Sequence, residues 1–497
     1  MIENLIEAIS IVFTLKMLLI ILLGSFVGII IGALPGLGPT VGTTLIIPAT
    51  FGMEPTAALI LLVAIYMTAE YGGSITAILI SSPGTTAATA TVEDGYPLTQ
   101  KGYPGKALGA SITASTIGGI FTTFILLFLT IPLMNFALKF GPAEYFALGF
   151  FGLSLVASLS GKSILKGLLM AILGLLISSI GLDPLTGQPR YTFGSFYLLE
   201  GISIIPALMG LYAVSEVFNM FLTQNNTIKK LGKKVSKQFI TLKEFKSMLP
   251  VIFQSSFIGS FVGVIPGAGG SIASWIAYQQ SKRIAKDKKD YGKGALSGVA
   301  APEAANNATV GGALVPLLSL GIPGSPTTAV LLGALMLHGL TPGPKLMETD
   351  ANLFYGLIIG LFITCIFMFF VGSLLTNFWV KLISLPQTFI APIILSISVI
   401  GAFSVRNLMF DVYITLGFGV LGYFLKKFNF PLAPIVLALV LGGMMESNLR
   451  RALLISDGSW MIFLTNPISL ILILIALFTF VSPILKNVFT SKKSKVS

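Results

Sequence analysis

Histidine and cysteine are nearly missing from this sequence, which has one of each, His338 and Cys365. A single cysteine forms no internal disulfide and carries no information on redox compartment. A single histidine argues against a His-rich metal site and against a histidine relay. Charge is scarce as well. Only 10% of the 497 residues are Asp, Glu, Lys or Arg, against roughly 25% in soluble globular proteins. So few charges cannot cover a water-facing surface of this size, and a lipid-facing surface permits only helices or closed barrels. The first residues carry Glu3 and Glu7 where a cleaved signal peptide would carry Lys or Arg. The phosphate-binding pattern G-x4-G-K-[ST] is also missing, so ATP-driven transport would need a separate ATPase subunit.

What is abundant is apolar sequence: 54% of residues are hydrophobic and the mean hydropathy is +0.92. Long unbroken runs, such as Ile11 to Ile31, exclude the short alternating strands of a barrel. They read as helices, with 11–31 a retained first helix. The others fall at 56–80, 107–132, 143–160, 163–182, 200–222, 248–264, 353–378, 387–404, 408–425, 430–446 and 461–483, or about 12 crossings in all. Between them lie apolar segments too rich in Gly and Pro to read as continuous helices: 33–48, 81–92, 266–280 and 300–337.

The formal net charge of +12 sits in connecting segments. Lys229 to Lys246 holds seven lysines, Lys282 to Lys293 holds six basic residues, and the tail adds Lys486, Lys492, Lys493 and Lys495. This is the pattern of cytoplasmic loops beside a lipid bilayer. No nucleic-acid partner is expected, because a bilayer already accounts for these basic runs and they hold few aromatic residues on which bases could stack.

An internal repeat underlies the chain. Gly28, Gly32, Pro35, Gly36 and Gly38 match Gly259, Gly263, Pro266, Gly267 and Gly269 at a constant shift of 231 positions. Further on, Gly72-Gly73 precedes Pro83-Gly84 as Gly311-Gly312 precedes Pro323-Gly324, and both Pro-Gly pairs lead into threonines. The charges are arranged oppositely in the two halves. The segment between the motifs is nearly neutral around Phe51 to Pro55 but holds the basic run Lys282 to Lys293 in the second half. After the second motif the first half carries Lys101 and Lys106, and the second only Lys345 before Asp350. If basic loops are cytoplasmic, matching segments lie on opposite sides. The expected fold is therefore an all-α integral membrane protein of two inverted repeats with Pro-Gly broken or re-entrant helices. The expected division is 1–228 for the first half, 229–247 for a basic cytoplasmic linker, 248–485 for the second half and 486–497 for a basic cytoplasmic tail.

Paired helix breaks are the best sequence pointer to a transport site. Half-helix N-termini suit anions, and unwound carbonyls suit small cations. The candidate substrate-binding residues are therefore Pro35, Gly36 and Gly38; Ser82, Pro83, Gly84, Thr85 and Thr86; Pro266, Gly267 and Gly269; and Pro323, Gly324, Ser325, Thr327 and Thr328. Close helix packing through small residues would account for the same glycines without a ligand. Glu303, Asn306 and Asn307 share one helix face. With Thr40, Glu70 and Ser271 they form a candidate cation-coupling set, with a sodium ion assigned to Asn306 and Asn307. The competing reading of Glu70 and Glu303 is interfacial or structural pairing. Glu200, Glu216 and Asp411, near expected helix ends, read as interfacial, and His338 as a surface turn.

The runs GALPGLGPTVG (32–42), EYGGSITAILISSPGTTAATAT (70–91), GVIPGAGGSIASWIAY (263–278), APEAANNATVGGALVPLLSLGIPGSPTTAVLLGAL (301–335) and LGGMMESNLRRALLISDGSW (441–460) carry a resemblance. They are similar to the large membrane subunit of tripartite tricarboxylate transporters, the TctA family. The stretch 441–447 departs from it, being less polar than the family pattern. The resemblance implies a prokaryotic cytoplasmic-membrane importer of small carboxylates such as citrate, coupled to sodium or protons and needing no other cofactor. It also implies two partners, a small four-helix membrane subunit and an extracytoplasmic solute-binding protein. The segment Glu446 to Trp460 reads as an interfacial amphipathic helix, or as a place where a partner docks. Three rivals remain open at this level. One is a permease or channel for another small anion without ion coupling. The second is an ATP-driven permease. The third is an intramembrane protease using Ser325, for which His338 would be the sole histidine base.

Overall fold

Nearly every long apolar run of the sequence becomes a helix in the computed structural model, which describes residues 2–159, 163–222, 239–375, 378–379 and 387–479. In chain order the helices are α1 (Ile2–Val12), α2 (Leu15–Ala33), α3 (Gly38–Ile46), α4 (Pro55–Ile80), α5 (Thr89–Gln100), α6 (Pro104–Ala137), α7 (Pro142–Leu159), α8 (Ile164–Ser178) and α9 (Ile204–Leu222). They continue with α10 (Leu242–Val264), α11 (Gly269–Ile284), α12 (Leu296–Leu320), α13 (Pro326–Leu337), α14 (Lys345–Thr349), α15 (Ala351–Leu374), α16 (Gln387–Arg406), α17 (Met409–Lys427), α18 (Ala433–Ile455), α19 (Ile462–Thr465) and α20 (Pro467–Thr479). Among the described residues, eight helices are long and apolar enough to cross a membrane. The basic run 229–238 and the tail 486–497 lie outside the described residues.

The chain forms two units. The first comprises Met1–Met134 and Ile205–Tyr423, the second Asn135–Ile204 and Phe424–Ser497.

The first unit contains two segments with the same local construction. In one, α2 packs along α4; in the other, α10 packs along α12. The contacts are backbone to backbone. A methyl group on Gly32 would lie 2.0 Å from the Ala69 carbonyl oxygen, and one on Gly259 would lie 2.2 Å from that of Ala305. Only glycine permits so close an approach. Both α2 and α10 end because a proline follows. Proline forces the residue before it out of the helical region, and Leu34 and Ile265 accordingly have ψ of 114° and 113°. Gly36 and Gly38 then take φ of +92° and +58°, and Gly267 and Gly269 take +82° and +63°. Short helices α3 and α11 restart beyond these turns. At the far ends of α4 and α12 the chain leaves through a left-handed residue, Ser81 (φ 58°) or Gly321 (φ 71°), just before Pro83 or Pro323.

Three expectations need correction. The run 11–31 is not one helix, because Thr14 caps the start of α2 with its side chain and separates it from α1. The segment 300–337 is broken only at 321–325. Pro302 and Pro316 sit inside a continuous α12, each four residues after a glycine, Gly298 or Gly312. A glycine there leaves the facing turn adaptable where a proline ring would otherwise crowd the carbonyl. Glu446 to Trp460 is not a separate interfacial helix either, since α18 runs unbroken from Ala433 to Ile455.

The second unit packs α7 and α8 on α18. A short hairpin, β1 (Gly181–Leu182) with β2 (Pro189–Arg190), brings Asp183 and Arg190 to the polar end of α18. Arg190 donates from both terminal nitrogens to the Glu446 carboxylate, at 2.6 and 3.0 Å. Arg450 pairs with Asp183 at 2.9 Å and with Glu446 at 2.7 Å. The polar residues of 446–450 thus fold back on their own unit.

Candidate functional site

The four helix breaks meet within the first unit. Thr40, just inside α3, shares a hydrogen bond of 2.8 Å with Thr327 at the start of α13. The Gly267 N–H donates to the Gly324 carbonyl at 3.0 Å. A methyl on Gly84 would strike the Gly32 carbonyl, and one on Gly270 would lie 3.1 Å from Ala87. The break after α4 therefore approaches the ends of both α2 and α11. The Pro-Gly elements pack closely and gather in one region.

In the same unit Glu303 lies on α12, fully buried. Its Oε1 accepts from the Thr91 hydroxyl on α5. Its Oε2 accepts from Ser111 and Ser115 on α6, at 3.2 and 3.1 Å. Ser74 on α4 bonds to Ser111 at 2.7 Å and completes the hydroxyl collar. One turn along α12, Asn306 donates to the Glu70 carbonyl at 3.2 Å, and Asn307 to the Met67 carbonyl at 3.0 Å. Their amide oxygens and Glu70 Oε2 are buried and accept no hydrogen bond among the described residues. The Asn306 Oδ1 faces the start of α11, since a methyl on Gly270 would lie 2.7 Å from it. α4 and α12 thus hold three acceptor oxygens and a second carboxylate, with no ion-paired Lys or Arg on Glu70 or Glu303 among the described residues. Leaving such groups uncompensated away from water is costly. The arrangement can take up a proton or a small oxygen-seeking cation.

Other candidate residues serve the frame. Ser325 and Thr328 form a reciprocal cap on α13, and Ser325 also bonds Tyr66 at 3.0 Å. The Gly84 N–H is bound to the Gly73 carbonyl at 3.0 Å, and the Thr85 side chain packs over Gly73. Ser82 and Ser271 are half-buried and Thr86 is exposed. Pro35 and Pro266 act through the turns they impose. His338 closes the C-terminus of α13 and meets Thr50 at 3.1 Å. Ser325 therefore has Tyr66 and Thr328 as partners, not the histidine that a protease would require.

Two readings of acidic residues are overturned. Asp411 is fully buried and clasped by Arg406, so it is a structural pair and not an interfacial group. Glu216 is 8% exposed, and its Oε1 points at Gly36 in the first break. Position near a helix end was a poor guide because α9 is packed against α3 through its Met209–Val214 portion. The collar serines were also missed. Their i, i+4 spacing on the long apolar helix α6 was the signal that could have found them.

The profile of the "Tripartite tricarboxylate transporter TctA family" matches residues 18–437. The chain is 38% identical over 474 residues to an "Uncharacterized 52.8 kDa protein in TAR-I ttuC' 3'region" of Agrobacterium vitis, covering 95% of this chain and 94% of that protein. It is also 38% identical over 238 residues to an "Uncharacterized protein in TAR-II ttuC' 3'region" of the same bacterium, covering 48% of this chain and 98% of that protein. No solved structure matches. Family, apolar helices and the buried polar centre agree on a multi-pass membrane transporter and not an enzyme. The chain belongs to the tripartite tricarboxylate transporter TctA family.

Proposed function

We propose that this chain is the permease of a secondary active importer that carries small carboxylates, such as citrate, across a prokaryotic cytoplasmic membrane in symport with sodium or protons. The observation that carries the coupling is the donor-less trio Glu70 Oε2, Asn306 Oδ1 and Asn307 Oδ1 beside the hydroxyl-collared Glu303. Ionisable groups at membrane depth are functional by default, and these lie in the same unit as the four broken segments. The coupling cation binds on the Asn306–Asn307 side, with Thr40 and Ser271 at the adjoining helix starts. Substrate carboxylates meet the N–H groups of the Pro-Gly turns and the nearby hydroxyls. The two halves work as an inverted repeat of about 12 crossings, with basic loops in the cytoplasm. A small four-helix subunit and an extracytoplasmic binding protein complete the machine and deliver the substrate.

The test is citrate uptake by vesicles reconstituted with the chain and both partners. Saturable uptake that stops when the sodium and proton gradients are collapsed supports the reading. Uptake indifferent to both gradients removes the coupling and leaves an uncoupled permease or channel.

A further inference from the structure

A groove of about 1000 Å³ lies between α10 and α11. Its lining is divided by polarity. Phe257 and Ile258 on α10, with Trp275 and Ile276 on α11, make an apolar part. Gln254 on α10, with Gln279, Gln280 and Arg283 on α11, make a polar part. On each helix the polar set lies farther from the Pro266 break than the apolar set does. The Trp275 indole is satisfied, because its N–H donates to the Thr89 hydroxyl at 3.2 Å. The three glutamine amides and the Arg283 guanidinium have no hydrogen-bond or ion-pair partner among the described residues. Arg283 also opens onto the loop whose run Lys282 to Lys293 holds six basic residues against Asp287 and Asp290.

Amides and a cation without partners beside an apolar wall call for an occupant that is polar at one end only. Another membrane helix is a poor match. Helices in a bilayer pack through small residues, whereas this wall is built of Phe, Trp and Ile, which frame a furrow for a flexible chain. A phosphate supplies what the other end lacks, acceptor oxygens for the amides and negative charge for Arg283. Basic pockets between membrane helices hold acidic lipid headgroups by the same electrostatics. We propose that the α10–α11 groove is a binding site for an anionic glycerophospholipid. Arg283 and the amides of Gln254, Gln279 and Gln280 hold its phosphate, and an acyl chain lies along Phe257, Ile258 and Ile276. The first turn of α11 faces the Asn306 amide oxygen at Gly270. The lipid therefore grips the far end of a helix that borders the buried polar centre.

The probe is phosphatidylglycerol, with phosphatidylcholine of the same acyl chains as the uncharged control. Each is titrated into the purified full chain in detergent, and binding is read by thermal unfolding and native mass spectrometry. Phosphatidylglycerol should raise the melting temperature saturably, and phosphatidylcholine should bind at least about threefold more weakly. Arg283→Gln should raise half-saturation by phosphatidylglycerol at least about threefold, the weight of roughly one basic residue at an anionic surface. Ile276→Trp, which fills the apolar part, should weaken both lipids. Lys345→Gln removes an exposed cation that does not line the groove and should change neither. Equal responses to the two lipids overturn the proposal, as does a shift in Arg283→Gln no larger than that in Lys345→Gln. If Ile276→Trp is not recovered folded, the two charge variants still decide. A photo-crosslinking residue in place of Ile276, in membranes that contain the whole transporter, identifies the occupant. Adducts with phospholipid support the proposal, and adducts with a partner subunit or a second copy of the chain overturn it.

Discussion

Replacing Glu303 by Gln separates the two things its carboxylate does. Structurally, the carboxylate accepts from Thr91, Ser111 and Ser115. Hydrogen bonds to an ionised acceptor are worth about 1.5–3 kcal/mol each and neutral ones about 0.5–1.5 kcal/mol. Weakening three of them costs about 3 kcal/mol. Against this, the Gln variant no longer buries a charge, which relieves a penalty of several kcal/mol. The hydroxyls adapt, because each can turn to accept from the new amide where it once donated. The two changes nearly cancel, so the Gln variant should unfold within about 2 kcal/mol of the wild type. Glu303→Leu is the contrast. It strands the Thr91 and Ser115 hydroxyls, Ser111 keeping Ser74, at about 1–3 kcal/mol each and should be destabilised by about 2 kcal/mol or more. Functionally, Gln cannot carry a proton or balance a cation. Gradient-driven citrate uptake by the Gln variant should fall to the level of protein-free vesicles while its melting temperature stays near the wild-type value. A folded Gln variant that still accumulates citrate against a gradient would refute the coupling role of Glu303, whatever its stability.

Three further outcomes follow from the geometry. Gly32→Ala puts a methyl 2.0 Å from a backbone oxygen of α4, so the variant should lose at least the roughly 1–3 kcal/mol typical of overpacking. Gly443→Ala, which meets nothing within 4 Å on α18, should be neutral or stabilising by up to about 1 kcal/mol; thermal unfolding of the pair decides, and equal behaviour refutes the helix contact. Asp183 accepts the Leu185 and Thr186 N–H groups and pairs with Arg450. The Thr186 and Leu185 N–H groups, more than the Arg450 charge, hold its carboxyl well below the usual carboxylate range. Its contribution is therefore complete above the ordinary value of about 3.9 and is lost only as pH falls through the depressed one. Protection of the Leu185 and Thr186 N–H groups from hydrogen exchange should persist down to about pH 4 in the wild type and be lost in Asp183→Ala, which leaves them no acceptor; matching protection in the two proteins would remove Asp183 from the hairpin's support. Cysteines at Met53 and Lys288 should be labelled by an impermeant maleimide from opposite faces of oriented vesicles, and labelling from one face would end the inverted arrangement.

The helix breaks were legible because proline and glycine act locally. Pro35 and Pro266 dictate the conformation of the residue before them whatever surrounds them, and the two turns came out alike. The continuous course of α12 was not legible, because Pro302 and Pro316 look like the same kind of breaker. What rescues them is the glycine four residues before each and the packing on both sides, a tertiary effect. The buried polar centre was half visible. The i, i+3, i+4 spacing put Glu303, Asn306 and Asn307 on one face, but the serines that hold Glu303 come from α6, nearly 200 positions away in the chain. Glu216 was invisible for the same reason. Its place depends on which helix α9 packs against, and no local pattern states that.

The Met209–Val214 portion of α9 is wound as a π-helix, with Gly210 set against the Thr415 carbonyl oxygen. A π turn holds one more residue than an α turn. Each residue of an α-helix advances the azimuth by about 100°, so the wide turn resets the angular phase of everything downstream. Glu216 is the second residue after it. Unwinding that turn by one residue would leave α9 the same apolar rod and still spin the carboxylate off Gly36. The wide turn thus sets the direction of the helix's one acidic side chain.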